Sequence, residues 1–451
     1  MLAQLPRTRW GGVVDHRFRR GQYFHLDKRD GVFWLVDPDG GRFLSKGVNT
    51  VRFDQDQIQN SDRIPYAEAC GLKYGNQAAW RSAAAARLAT WGFNTLSAWS
   101  DELVATAGPV PLAVTPNLDL GMSFARSTGH KQEFPDVFDF SFDSFARRRA
   151  RELCDGRRDD QNIIGWFIDN ELRWGPDWRG PDELLMLFLD LATKSPGRLA
   201  TIAWLRERYS DFTQFNSIWR TSAKSWEAFA ALSRITPPYR RNPSYQCSAG
   251  EEAEANRADG NRATFTADCD AFAGWVAERY FVLSATAIRA ADPNHLVLGC
   301  RFAYVPPYSV IEAAARHTDI ISFNCYERDA RTSINAYAAT GKPCLIGEFS
   351  FRAEDSGLPN TNGAGPRLAT QIERAACLRD YITSALQEPT LVGYHWFEHA
   401  DQPAEGRFDG ENSNFGTVTI DDRVYEHLTR AMTAVNTKAE ELHNLAGAAA
   451  T

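Results

Sequence analysis

The sequence predicts a single (β/α)8 barrel, and three observations carry that prediction. Eight short apolar runs, most of them rich in β-branched residues, recur along the chain with helix-like segments between them. Eight such units within about 350 residues suit a closed ring of parallel strands better than an open sheet. No GxGxxG and no phosphate-cradling loop follows the first run, which argues against a nucleotide-binding fold. Composition agrees, since 43% hydrophobic and 24% charged residues over 451 positions supply a sizeable core and disfavour disorder.

Taken in order, residues 1–42 read as a β-hairpin cap, because "GVFWLVDPDGGRFLSKG" turns at the Asp-Gly-Gly after Pro38. The strands are then expected within 43–51, 94–100, 112–120, 162–171, 296–304, 319–327, 343–351 and 391–399. Helices are expected at "RSAAAARLATWG", closing on Gly92, at "FDSFARRRARELCDG" and within 366–387. The fourth and fifth strands stand far apart, and 181–260 reads as a helical insertion on the catalytic face. The barrel domain thus runs over 43–446, ending in the helix of "YEHLTRAMTAVNTKAEELHNL", with 447–451 a frayed tail.

Several function classes are disfavoured at once. A formal charge of −7 without a basic arm speaks against nucleic acid as a partner. No run of 18 apolar residues offers a transmembrane helix, and "MLAQLPRTRW" lacks the apolar core of a secretory leader. Location and oligomeric state stay open. Eight cysteines without a CxxC pair read as free buried thiols, neither a disulfide framework nor a zinc site. The 13 tryptophans suit a core and also suit stacking on flat ligands such as sugar rings.

Catalytic residues of barrels stand at the C-terminal ends of strands. That filter leaves two conspicuous carboxylates, Glu171 closing "GWFIDNE" and Glu348 closing "PCLIGE". Either alone could cap a helix or pair with an arginine. Together, facing one cavity, they are what retaining glycoside hydrolysis needs: one protonated acid and one nucleophile about 5–5.5 Å away.

An Asn-Glu pair ending strand four and a Glu ending strand seven resemble clan A glycoside hydrolases. "GVNTVRFD", "FIDNELRWG", "LGCRFA", "KPCLIGEFSFRAEDSG" and "DQPAEGRFDGENSNFG" together look like glycoside hydrolase family 50, the β-agarases, over roughly residues 40–430. The resemblance implies that Glu171 is the acid/base, Glu348 the nucleophile and Asn170 the partner of the sugar 2-hydroxyl. It also matches Tyr326 to the tyrosine that hydrogen-bonds the nucleophile. Family agarases generally carry a large N-terminal β-sandwich, whereas only about 40 residues precede the first strand here, so soluble oligosaccharides are the expected substrates. No metal or organic cofactor is required.

Further candidates cluster at the predicted strand ends: Arg52 and Asp54, Trp99, Arg301, Asn324, Trp396, His395 and Glu398. Trp396 is a platform under the sugar or barrel packing. Arg301 and Arg352 are pocket donors or counter-ions of Glu348. Asp169, by strand alternation, points away from Asn170 and holds a neighbouring loop. The sequence His395-Trp396-Phe397-Glu398-His399 fits an inverted zinc-protease motif, which requires a helix. On a strand the two histidines lie about 13 Å apart, too far for one metal. The expected activity is cleavage of β-galactosidic linkages in agarose-type galactans or their oligosaccharides. An exo-acting β-galactosidase, or another clan A glycosidase on short oligosaccharides, is the alternative enzyme; a catalytically silent carbohydrate-binding barrel is the alternative of another class.

Overall fold

The computed structural model describes residues 6–129, 134–242 and 249–449; Cys247 and the end of the expected tail lie outside the described residues. Its first layer is a four-stranded antiparallel sheet of β1 (Val13–Val14), β2 (His25–Arg29), β3 (Val32–Val36) and β4 (Gly41–Phe43), in the order β1-β4-β3-β2. The expected hairpin is its β3–β4 unit. Gly40, at φ +84°, completes the turn, and the Asp37 carboxylate accepts from the Gly41 amide at 2.8 Å. β2 joins β3 through a second two-residue turn, Asp30-Gly31, with both residues at positive φ (+52° and +82°), a turn signal that sequence reading passed over. Only β1 adds by a pairing that no adjacent turn announces.

The chain then alternates strands and helices. Between strands β5 (Ser45–Val48) and β6 (Thr95–Leu96) lie α1 (Pro65–Tyr74) and α2 (Gln77–Thr90), and a 3-10 turn at Glu102–Thr106 leads from β6 to β7 (Ala113–Val114). Asn76 caps α2 by accepting from the Ala79 amide at 2.9 Å, and Gly92 follows its end at φ +77°. Helices α3 (Leu120–Ser127) and α4 (Phe140–Cys154) precede β8 (Gly165–Trp166).

Five helices occupy most of the next stretch: α5 (Leu184–Leu189), α6 (Pro196–Arg208), α7 (Phe212–Trp219), α8 (Trp226–Ala230) and α9 (Ala249–Ala258). While α8 packs on α6 and α7, helices α5, α6, α7 and α9 pack on α10 (Gly260–Ala291), a 32-residue helix that sequence reading passed over. Arg241 fixes the contact, bonding Glu183 at 2.7 Å and Asp270 of α10 at 2.7 Å.

The remaining elements are β9 (Leu296–Val297), α11 (Tyr308–His317), β10 (Ile321–Asn324), α12 (Arg331–Ala338), β11 (Cys344–Phe349), the short pair β12 (Arg352–Ala353) and β13 (Arg367–Leu368), α13 (Gln371–Ala385), β14 (Leu391–Trp396) and α14 (Glu426–Asn444). Ala446–Ala449, which include the start of the expected tail at 447–451, form a last short helix, α15.

Each expected strand region contains a strand, shorter than the apolar run that announces it. Six of these strands form a parallel sheet in the order β10-β11-β14-β5-β6-β7, and β8 and β9 form a parallel pair. Single parallel bridges, Val114↔Ile163 and Phe302↔Phe323, lie between the pair and the two edges of the sheet. Trp10, Phe24, Leu35 and Phe43 of the N-terminal layer cluster with Ala113, Ile164, Ile320, Leu345 and Val392, near the strand starts. The N-terminal sheet thereby packs at one end of the parallel strands, opposite their C-terminal ends.

Candidate active site

The segment after β8 stays buried through Asp169 and surfaces at Asn170 and Glu171. Backbone bonds fix its path, from the Ile168 amide to the Gly299 carbonyl at 2.8 Å and from the Glu171 amide to the Arg301 carbonyl at 3.2 Å. Asp169 turns away, as alternation predicts. Its carboxylate accepts from the Gly121 and Met122 amides at 2.7 and 2.9 Å and from the Tyr280 hydroxyl at 2.6 Å. It therefore anchors the start of α3 to α10, while burial and the Asp119 charge push its pKa up to about 7.

Glu348, buried in β11, lies in parallel register with Asn324 of β10. The Tyr326 hydroxyl donates to its Oε2 at 2.5 Å, and the Arg301 guanidinium donates to its Oε1. Arg301 is itself fully buried. It also donates to Asn49 Oδ1 at 3.1 Å and to the Gly347 carbonyl at 3.2 Å, and its guanidinium lies 4.7 Å from the Trp99 ring and 4.9 Å from the Phe167 ring. Asn324 Nδ2 donates to Glu171 Oε1 at 2.8 Å and reaches Asn170 Oδ1 at 3.2 Å. The two glutamates are thus joined through Asn324: hydrogen-bonded to one, paired in register with the other.

Their surroundings differ in a way that matters chemically. Desolvation and the negative charge of Glu348 push Glu171 up to about pH 7, so it holds a proton under mildly acidic conditions. Glu348 instead accepts from a guanidinium and a phenol, and the Tyr326 phenol is driven well above its ordinary range by burial and by Glu348. Three residues around this center, Trp99 (φ +61°), Glu171 (+52°) and Arg301 (+50°), occupy the left-handed backbone region that side-chain-bearing residues avoid.

The remaining expected residues divide. Arg52 and Asp54 form an ion pair at 2.7 Å and line a cavity of about 340 Å³ with Gln77, Arg81, Trp99, Ser100 and Asp101. Trp99 thereby touches both this cavity and Arg301. Arg352 does not reach Glu348; it bonds the Gly365 carbonyl at 2.7 Å and Ser413 Oγ at 3.2 Å, holding two rim loops together.

His395 and Trp396 require correction as sugar contacts. His395 is fully buried, with Nδ1 on Ser97 Oγ at 2.7 Å and Nε2 on Ser45 Oγ at 2.8 Å, so neither nitrogen is available to a ligand. Burial depresses its pKa well below the usual imidazole range. Trp396 is also fully buried: Nε1 donates to the Phe415 carbonyl at 2.9 Å and the ring packs edge-on against Phe349. Its packing alternative is the one observed. Glu398 is buried below the rim, accepting from Gln402 at 3.0 Å and lying 3.8 Å from Arg407. His399 packs edge-on against both Tyr66 and Trp80, so no pair of histidines converges there. Sequence reading missed Phe397, whose ring lies 6.3 Å from that of Tyr326 and 5.4 Å from the Arg407 guanidinium.

This architecture is shared with agarases of known structure. An exo-β-agarase superposes with a TM-score of 0.78 at 23% identity, over 98% of this chain and 69% of that one. PfGH50B gives 0.76 at 25% identity, over 98% and 70%. The agarase AgWH50C gives 0.75 at 24% identity, over 97% and 68%. In sequence, the chain is 27% identical to β-agarase B of Vibrio sp. (strain JT0107) over 96% of its own length and 50% of that protein. It is 29% identical to β-agarase A of the same strain, over 90% of its length and 44% of that protein. The chain therefore spans about half the length of these relatives. No protein-family model matches it.

Proposed function

We propose that this chain is a retaining glycoside hydrolase of clan A, resembling family 50, that cleaves β-galactosidic linkages in agarose-type galactans or their oligosaccharides. The observation that carries the reading is the pair Glu171 and Glu348, coupled through Asn324 but held in opposite environments. The sequence similarity to β-agarases supports the substrate class. We take the catalytic unit to be a (β/α)8 barrel of 43–446; the bridges between the β8–β9 pair and both edges of the sheet support closure of its ring. Residues 1–42 cap that barrel and 181–260 insert beside the site.

In the mechanism, Glu348 attacks the anomeric carbon while Glu171 gives its proton to the departing glycosidic oxygen. A glycosyl ester forms on Glu348. Arg301 and Tyr326 orient the attacking carboxylate. Glu171 is left as a carboxylate, and once the ester exists the negative charge that favoured its protonation is gone, so it stays ionised until it takes a proton from the attacking water. That water cleaves the ester and restores both groups. Asn170 and Asn324, beside the acid, are placed to bind hydroxyls of the reacting sugar, and Trp99 with Arg52 and Asp54 to bind a further part of the chain.

The test is product analysis on agarose, neoagaro-oligosaccharides and aryl β-galactosides, with the anomeric configuration of the first product followed by proton NMR. Short neoagaro-products of β configuration support the whole reading. Initial α products would mean inversion and overturn the role of Glu348 as nucleophile. Hydrolysis of the aryl galactoside alone would keep the mechanism and move the substrate to simple β-galactosides. Glu171→Ala and Glu348→Ala should each lose roughly 10²–10⁴-fold in turnover, whereas a binding barrel has no turnover to lose.

A further inference from the structure

Immediately after Glu171 the chain makes a tight turn, "WGPDWRG", that carries an exposed tryptophan. The Asp177 and Gly180 amides each donate to the other's carbonyl at 3.1 Å, closing the turn with Trp178 at its tip. Trp178 is 52% exposed, an unusual placement for so large an apolar ring. The Arg179 guanidinium lies 4.3 Å from the ring center, and the Tyr304 ring stands nearly perpendicular to it at 5.7 Å. Arg179 is held in turn by Asp177 at 2.5 Å and donates to the Glu171 carbonyl at 2.9 Å. The tryptophan is therefore braced through a single arginine to the backbone of the proposed acid.

We infer that Trp178, with Tyr304 beside it, is the stacking platform for the sugar released on the leaving-group side of the cleaved bond. This rests on the assignment of Glu171 as the acid. A general acid must stand at the oxygen that departs, so the sugar attached to that oxygen lies on the acid's side of the site. An aromatic face at that position binds the C–H face of a pyranose or anhydro-sugar without demanding one hydroxyl pattern. Asp177 neutralises Arg179, so the platform carries no free cation to recruit a sulfated ring, and the ligand class is a neutral sugar. Arg179 acts as a positioning residue: it sets the ring relative to Glu171.

The experiment compares kcat/KM for a neutral galactan oligosaccharide with that for 2,4-dinitrophenyl β-galactoside, whose leaving group needs neither protonation nor a sugar subsite. Trp178→Ala should lower the ratio of the two constants by about tenfold, as expected for loss of one stacking contact. Trp178→Tyr should restore most of it. A general loss of structure would depress both constants and leave the ratio unchanged; that result overturns the inference, as does an unchanged oligosaccharide constant. Binding separates this failure from failure of the glycosidase reading. If the wild type cleaves neither substrate, neoagarotetraose is titrated calorimetrically into wild type and Trp178→Ala, and equal affinity overturns the platform independently.

Discussion

At the scale of single residues, the site is a problem in keeping two like groups different. Glu171 is raised to about 7 by desolvation and by Glu348, so its acid form is the majority below that pH and is lost above it. Turnover limited by glycosyl transfer should therefore decline as pH rises through about 7, which a pH–rate profile of kcat/KM measures. The charge contribution is separable. Glu348→Gln removes the neighbouring negative charge, so the Glu171 carboxyl should titrate at lower pH in that variant, read by carbon-13 NMR. An unchanged titration would mean that desolvation alone sets the acid. Arg301 deserves the same scrutiny: Arg301→Met leaves Glu348 buried without its cationic partner and should cost turnover on every substrate, unlike loss of Trp178.

At the scale of elements, strand ends decide which side chains reach the cavity. Gly47 of β5 shows how closely the strands' interior is packed. A Cβ there would stand 2.4 Å from the His395 ring, so Gly47→Ala should destabilise by about 1–3 kcal/mol through overpacking, read as a lower urea midpoint with an unchanged slope. The same interior explains what sequence could and could not show. The positions of Glu171, Glu348 and Tyr326 near strand ends were legible, because apolar runs mark strands. Of the three only Glu348 lies within a regular strand, while Asp169, Glu171 and Tyr326 follow the ends of β8 and β10. The order of His395, Trp396 and Phe397 was not legible. The β11–β14 register shifts twice, between Cys344 and Leu345 and again between Ile346 and Phe349, so period-two counting lost its phase across those strands. Ser45 and Ser97, which occupy both nitrogens of His395, lie 350 and 298 residues away in sequence. No local pattern announces them. In the N-terminal sheet, β1 escaped reading for a like reason, because it reaches β4 only across a long connection, whereas the β2–β3 hairpin carried a legible Asp30-Gly31 signal that was passed over.

At the scale of the whole molecule, two buried carboxylates tie distant segments together. Asp422, fully buried, accepts from Tyr66 at 2.8 Å, Lys73 at 2.8 Å, Tyr74 at 2.6 Å and Arg87 at 2.8 Å, binding the C-terminal part to α1 and α2. Burial raises its pKa, but the Arg87 hydrogen bond and charge, helped by Lys73 and Tyr74, outweigh it and hold the group well below the ordinary carboxylate range. A depressed native pKa contributes stability above the unfolded value near 4, lost as pH falls toward the native value. Asp422→Asn should therefore lower stability at neutral pH and flatten its decline in acid, measured by urea unfolding between pH 3 and 7. Glu440 plays the corresponding part for Lys46, at 2.5 Å, and for Arg7, at 3.1 Å. Glu440→Ala leaves Lys46 charged and buried without its carboxylate, a loss of about 3–5 kcal/mol that thermal unfolding would register as a large drop in Tm.

The Lys46–Glu440 pair also bears on the order of events during synthesis. The lysine belongs to the first parallel strand, and its carboxylate belongs to the last long helix, 394 residues downstream. A ribosome delivers the chain from its N-terminus, so β5 emerges long before the group that neutralises its lysine. Until then, burying that strand would carry an unpaired charge into a dry interior, and hydration of the lysine favours leaving it outside. Docking β5 with its lysine charged is thus favoured only once α14 has been made.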